Sequence, residues 1–256
     1  MIFVTGSNGF IARNLIARID GQVGCYDAAN RTDADVSAIL DYINWKDVEK
    51  IIHLGAISNT TETDMDLLYD YNVRFTLKLF EKACEHGIPL DYASSASVYG
   101  NSKDYSLAPL NYYAVTKMLV DMYVEDNIES FPLVRGFRFF NVYGSNEGGK
   151  FDQASPYYKF RKQAMETGKI QVFEGSENFK RDFIHVKDVI TTIHHCIKSS
   201  GIYDVGSAEP KTFMEVAEDV AEEFKASIEV IPFPDHLVGK YQESTCAQYP
   251  WSDIVS

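Results

Sequence analysis

Short apolar runs alternate with longer amphipathic stretches through the first half of the chain. Ile2 to Thr5, Gln22 to Tyr26, Lys50 to Leu54, Leu90 to Ala93 and Leu133 to Phe139 are rich in β-branched or aromatic residues and bounded by Gly, Asp, Pro or Ser. That is the pattern of strands. Between them, Phe10 to Ile19, Met65 to His86 and Tyr112 to Asn127 repeat apolar residues every three or four positions, which predicts helices with one buried face. Strand, helix, strand in succession builds a parallel sheet with right-handed crossovers and helices on both faces. The predicted fold class is α/β, a doubly wound parallel sheet.

After Gly144 the pattern changes to a polar, glycine-containing loop, a helix about Ala154 to Thr167, and short strands near Gln171, Asp182 and Ile228. Two further helices, about Val186 to Lys198 and Phe213 to Phe224, return to the earlier style. The chain is therefore expected to leave the sheet domain and rejoin it. Residues 1–144 with about 186–212 would form that domain, and about 145–185 with 213–256 a small mixed α+β substrate-binding cap.

Composition narrows the function. The chain has 256 residues with a net charge of −13, too acidic for a nucleic-acid or anionic-membrane binder that relies on bulk charge. A hydrophobic fraction of 45% supplies a large core. The four cysteines are scattered, without the pairing of a disulfide scaffold, and read as reduced thiols. The sequence opens on the apolar run Met1 to Val4 with no basic n-region or h-region, so no signal peptide is expected, and no apolar run approaches the roughly 20 residues of a membrane span. A soluble, cytoplasmic protein is expected. No His/Cys/Asp cluster has metal-ligand spacing, so no metal is expected.

The first strand runs directly into Thr5-Gly6-Ser7-Asn8-Gly9-Phe10-Ile11-Ala12, and a helix follows. Gly6 permits the tight turn, Gly9 lets backbone approach a pyrophosphate at the helix N-terminus, and the small Ala12 allows close helix-to-strand packing. This makes the sheet Rossmann-type. The second strand ends in Asp27, where a carboxylate can accept hydrogen bonds from a ribose diol and favour NAD. Arg13 and Arg31 are equally able to pair with a 2′-phosphate, so NAD and NADP both stay open.

Tyr113-Ala114-Val115-Thr116-Lys117 opens a helix, which puts the phenol and the ammonium on one face a turn apart. A free tyrosine, pKa about 10, is a poor base at neutral pH. A neighbouring ammonium and an oxidised nicotinamide would both favour phenolate, a proton acceptor for an alcohol being oxidised. The strand Leu90 to Ala93 delivers Ser94-Ser95-Ala96-Ser97 to the carboxyl end of the sheet, where ligands of open α/β sheets bind. A serine there can hold the substrate oxygen near the phenol.

Together the glycine turn, Gly55-Ala56, Asn72, the run Ser94 to Gly100 and Tyr113-x-x-x-Lys117 resemble the extended short-chain dehydrogenase/reductase family of nucleotide-sugar epimerases and dehydratases. Closer likeness lies in Phe137 to Gly144, Glu147 to Lys150, Phe173 to Phe183, Pro232-Phe233-Pro234 and Lys240-Tyr241-Gln242, which resemble the ADP-L-glycero-D-manno-heptose 6-epimerases. The resemblance implies that Tyr113 is one acid/base, tuned by Lys117, that Ser95 orients the substrate, and that Lys150 is a second acid/base. It implies a cofactor site of Gly6, Gly9, Phe10, Ile11, Asp27, Gly55, Ala56, Ile57, Ser58, Asn72, Tyr113, Lys117 and Val142, holding one tightly bound NADP or NAD per subunit. It assigns an ADP-heptose to Ser95, Asn141, Phe173, Glu174, Gly175, Ser176, Arg181 and Tyr241, in a homo-oligomer. By residue type alone, Arg181 suits a diphosphate or a surface ion pair. Lys150, Asn141 and Tyr241 read equally as solvated, turn or packing residues, so their roles rest on the resemblance.

The chain departs from that family in Ala12, in a shorter stretch from Asp27 to Ile39, in Asp152 and Lys159 where the family has serine and histidine, and in a short C-terminal end. Another nucleotide-sugar 4-epimerase or reductase is the alternative on the same scaffold. A 4,6-dehydratase is disfavoured because Ser95 is followed by Ala96 and Ser97 rather than carboxyl groups. A non-catalytic dinucleotide sensor would have no need of Tyr113, Lys117 and Ser95 together.

Overall fold

The computed structural model describes residues 1–28, 36–234 and 244–255. In chain order the strands and helices are β1 (Ile2–Thr5), α1 (Phe10–Ile16), β2 (Val23–Tyr26), β3 (Lys50–His53), α2 (Met65–Leu68), α3 (Phe75–His86), β4 (Leu90–Ser95), α4 (Tyr112–Asn127), β5 (Val134–Phe139) and β6 (Asn141–Tyr143). There follow α5 (Pro156–Thr167), β7 (Lys169–Phe173), β8 (Lys180–His185), α6 (Val186–His195), β9 (Gly201–Val205), β10 (Pro210–Thr212), α7 (Phe213–Phe224) and β11 (Ser227–Ile231).

Six parallel strands form the central sheet in the order β2-β1-β3-β4-β5-β9. Successive strand residues point to opposite faces. Phe3, Ile51, Leu90, Tyr92 and Val134 therefore join Leu79, Phe80, Val120 and Val124 of α3 and α4 in one core. Val4, Ile52, Phe137 and Val205 join Leu15 of α1 and Val189, Ile190 and Ile193 of α6 in another, beneath the opposite face. This is the Rossmann-like, doubly wound arrangement.

The cap elements α5, β7 and α7 share a further core around Phe160, Ile170, Val172, Val216 and Val220. β8 pairs parallel with β6 and antiparallel with β10, while β7 and β11 form a parallel pair. Only Phe140 separates β5 from β6, so the chain steps straight from the large sheet to the small one.

Several elements differ from the reading of the sequence. The stretch Met65 to His86 is not one regular helix: a π-helical turn, Tyr69–Arg74, joins α2 to α3, and the Thr76 hydroxyl of α3 donates back to the Asn72 carbonyl at 2.8 Å. The strands β6, β9 and β10 have no clear sequence signal, because two are three residues long and β9 is an edge strand with mostly half-buried side chains.

The strand order reverses at β1, with β2 on one side and β3 on the other, and a ligand crevice opens at such a point. Gly6 sits there with φ +67°, and a Cβ on it would lie 2.6 Å from the Gly55 backbone. Gly6→Ala combines left-handed strain with a backbone clash, so it is expected to cost at least about 2 kcal/mol of stability. Urea unfolding checks this; a loss below about 0.5 kcal/mol would mean that the turn and the β3 loop simply move apart.

Candidate active site

Two cavities meet over the glycine turn. The larger, about 770 Å³, opens at the carboxyl ends of β4 and β5, and the smaller, about 310 Å³, lies against β1, β2 and β3. Gly6, Gly9, Ala56 and Ile57 border both. Phe10, Ile11, Ser58, Tyr113, Lys117 and Val142 line the larger, and Asp27 and Gly55 the smaller. Gly9 caps α1 without a side-chain bond, and no acidic residue occupies the first turn, so the amides there are open to an anion. The Asn8 amide donates to Asp27 Oδ2 at 2.8 Å, fixing the carboxylate beside the turn. Two joined cavities, a glycine cradle between them and a carboxylate in one of them fit a dinucleotide.

α4 begins cleanly because Asn111 Oδ1 accepts the Ala114 amide at 2.9 Å. It aims Tyr113 and the buried Lys117 at the larger cavity, with Lys117 Nζ 6.0 Å from the centre of the phenol ring. Lys117 donates to the Ala93 carbonyl at 2.7 Å. Burial pulls its pKa down to about 8, against an opposing push from Asp121. Burial also raises the Tyr113 phenol above its ordinary value, with Ser95 partly offsetting and Asp121 adding to the rise. Ser95 ends β4, and its Oγ accepts from the Ser97 hydroxyl at 2.9 Å and the Ser97 amide at 3.2 Å. The phenol thus needs added positive charge to become a base, which a bound nicotinamide ring would bring.

Lys150 reaches the same cavity from the loop after β6, its Nζ 5.2 Å from the Phe10 ring centre. Burial lowers its pKa, Lys159 lowers it further, and Glu147 opposes both. Glu147 is itself buried and pins the loop: it accepts from the Ser155 hydroxyl at 2.9 Å, the Gly144 amide at 3.4 Å and the Ser155 amide. Asn141 and the buried Arg181 line the cavity too, the guanidinium 5.4 Å from the Phe213 ring centre.

A sequence profile places this arrangement. The NAD dependent epimerase/dehydratase family matches residues 2–206. The chain belongs to this family. Its structure is similar to the ADP-L-glycero-D-manno-heptose-6-epimerase of Helicobacter pylori, with a TM-score of 0.82 and 25% identity over 99% of this chain and 93% of that one. It is similar in fold to a UDP-N-acetylglucosamine 4-epimerase from Methanobrevibacter ruminantium, with a TM-score of 0.84 and 20% identity over 100% and 91% of the two chains. A UDP-glucose 4-epimerase from Thermus thermophilus, in complex with NAD, gives 0.78 and 22% over 96% and 90%. The family thus makes the chain an NAD-dependent epimerase/dehydratase-type enzyme.

Within this family member some expected positions stand elsewhere. Asn72 does not border either cavity: it is buried, its Oδ1 accepts the Ile57 amide at 2.8 Å, and its Nδ2 donates to Ile57 O at 3.0 Å and Thr116 Oγ1 at 3.1 Å. Phe173, Glu174, Gly175 and Ser176 also lie off the cavity as described, because they run from the end of β7 into the turn after it, where the Ser176 hydroxyl closes on Phe173 O at 2.6 Å. Tyr241 and Arg31 lie outside the described residues. Thr245, Gln153 and Ser155 line the cavity without having been singled out. Asp121 carries a signal that the sequence does contain, one helical turn beyond Lys117.

Among the described residues no three His, Cys, Asp or Glu gather as a metal site, and no helix is long and apolar enough to cross a membrane. His53 at the end of β3 is buried, with Nδ1 2.6 Å from Thr5 Oγ1 and Nε2 2.8 Å from Thr76 Oγ1. Burial, then the charge of Lys117, lowers its pKa to about 3. The unfolded chain therefore binds the extra proton first as pH falls, so the stability due to neutral His53 is complete above about 6.5 and is lost between there and about 3. The stability difference between the protein and His53→Gln is expected to shrink across that window; a difference that does not change from pH 7 to pH 4 sinks the prediction.

Proposed function

We propose that this protein is a nucleotide-sugar epimerase that inverts C6 of ADP-D-glycero-D-manno-heptose, with NAD or NADP held across the two cavities. The observation that carries the reading is one cleft lined by two proton-moving groups from different elements, Tyr113 of α4 and Lys150 of the loop after β6. In this reading residues 1–144 with about 186–212 hold the dinucleotide, and about 145–185 with 213–256 hold the sugar. The turn from Gly6 to Ile11 takes the pyrophosphate, Asp27 the ribose, and Gly55 to Ser58, Lys117 and Val142 the remainder. A bound nicotinamide supplies reversible hydride transfer with the sugar carbon, so no outside oxidant is consumed.

Tyr113 takes the proton from the hydroxyl being oxidised and returns it for one configuration. Lys117 stabilises its phenolate, and Ser95 holds the oxygen in line. After the carbonyl turns over, the oxygen lies away from the phenol, and Lys150 moves the proton on that side. A lysine whose pKa burial lowers is suited to that work. Arg181 meets the diphosphate in a fork and Asn141 the sugar. The likeness to the Helicobacter pylori enzyme over nearly the whole chain supports the heptose.

Purified protein incubated with ADP-D-glycero-D-manno-heptose tests this by NMR of the C6 configuration. Conversion to the L-glycero epimer without net NAD(P)H change is expected. No conversion by folded, cofactor-loaded protein overturns the heptose and leads to a panel of UDP-, GDP- and dTDP-hexoses, where inversion at C4 would identify the alternative.

A further inference from the structure

A line of hydrogen bonds, joined through the backbone and side chain of Asn72, runs between the two halves of the site. The Gly55 amide donates to Thr5 Oγ1 at 3.3 Å, beside the glycine turn. Thr5 meets His53 Nδ1, and His53 Nε2 meets Thr76 Oγ1. The Thr76 hydroxyl donates to Asn72 O, the Asn72 side chain donates to Thr116 Oγ1, and the Thr116 hydroxyl donates to the Tyr113 carbonyl at 2.7 Å. Thr5, His53, Asn72, Thr76 and Thr116 are each no more than 2% exposed.

The direction of this line is determined. A hydroxyl has one hydrogen, and that of Thr76 goes to Asn72 O, so His53 Nε2 must be the donor to Thr76. His53 Nδ1 then accepts from Thr5. One neutral tautomer satisfies every bond, and a second proton on Nδ1 would leave the Thr5 hydroxyl hydrogen without this partner. Valine at position 5, 76 or 116 would remove the hydroxyl that the line passes through and leave its partners unpaired.

We propose that His53 is a positioning residue, which through Thr5 on one side and Thr76, Asn72 and Thr116 on the other sets the dinucleotide-binding turn in register with Tyr113. The inference rests on the dinucleotide part of the proposed function and is independent of the sugar. His53, Asn72, Thr76 and Thr116 border neither cavity, so any effect of theirs on binding is transmitted.

NADH titration by fluorescence with Thr5→Val, Thr116→Val and the double variant tests the line at its ends. Each single variant is expected to weaken NADH binding about fivefold, the worth of one buried hydrogen bond, and the double variant little more than either. His53→Asn and His53→Gln, which each keep one of the two ring contacts, are expected to fall between the protein and His53→Leu. Unchanged NADH affinity in Thr116→Val, or effects of the two ends that simply multiply, overturns the proposal. Failure of the unaltered protein to bind NADH would overturn the cofactor reading instead. The same cycle read on urea unfolding then decides the line, with non-additive ends supporting it and additive ends overturning it.

Discussion

Tyr113→Phe is expected to slow epimerisation by about 10²–10⁴-fold while leaving NADH affinity within about twofold. The variant removes the oxygen that exchanges the proton and keeps the ring that lines the cavity. Burial and Asp121 hold the phenol above its ordinary pKa in the free cleft, so the working phenolate depends on positive charge nearby. Lys117 supplies such charge below a pKa of about 8 and loses it above. Lys117→Met should therefore move the rising, base-requiring limb of the rate profile to higher pH. Lys150→Ala should also lose turnover, but because Tyr113 remains, the half-reaction from one epimer should survive, seen as reduced bound cofactor when that epimer alone is added. Equal, full activity of Tyr113→Phe would remove the phenol from the mechanism.

Asp121→Leu is expected to destabilise the fold by about 3–5 kcal/mol, the cost of breaking a buried ion pair by deleting one partner. Asp121 is completely buried and accepts from Arg138 Nε at 2.8 Å, Tyr92 OH at 2.9 Å and Ser94 Oγ at 2.9 Å. Without it a guanidinium 12% exposed and two hydroxyl donors lose their acceptor. Among the described residues Arg138 would keep its bond to Tyr99 OH at 2.9 Å, itself bonded to Asp204 at 2.7 Å. Asp121→Leu with Arg138→Met should recover much of the loss, since the pair removed together leaves no uncompensated charge. Urea unfolding of the three variants measures this, and a loss below about 1 kcal/mol for Asp121→Leu would show that water or another group takes its place. The milder Asp121→Asn should let Lys117 lose its proton at lower pH, because Asp121 is the group that holds it up.

Hydropathy alternation marked β1 to β5, α1 and α4, because each carries its own period and has caps or breakers at its ends. It could not mark β6 or β10, whose three residues hold no period, nor the π-helical turn at Tyr69–Arg74, which Asn72 and Thr76 stabilise through bonds to residues distant in sequence.

The candidate site divides in the same way. Motif spacing, read with its place relative to the neighbouring strands and helices, named Gly6, Gly9, Tyr113 and Lys117, since a tight turn and one helical turn are local geometry. Lys150 needed resemblance, Arg181 stood out by residue type without a place, and only the folded chain brings them to the same cleft as Tyr113. Asn72 also came from the resemblance, and only the folded chain shows its amide bonded to Ile57 and Thr116, off both cavities. His53 read as an ordinary strand-end residue, and its place between Thr5 and Thr76 exists only once β1, β3 and α3 are packed. The sequence by itself determined the class of fold, the glycine turn and the phenol-ammonium pair, because these depend on neighbours in the chain. The tertiary structure decided the cleft, the pKa of each group in it and the buried bonds beneath it, because burial and hydrogen-bond partners come from residues tens of positions away.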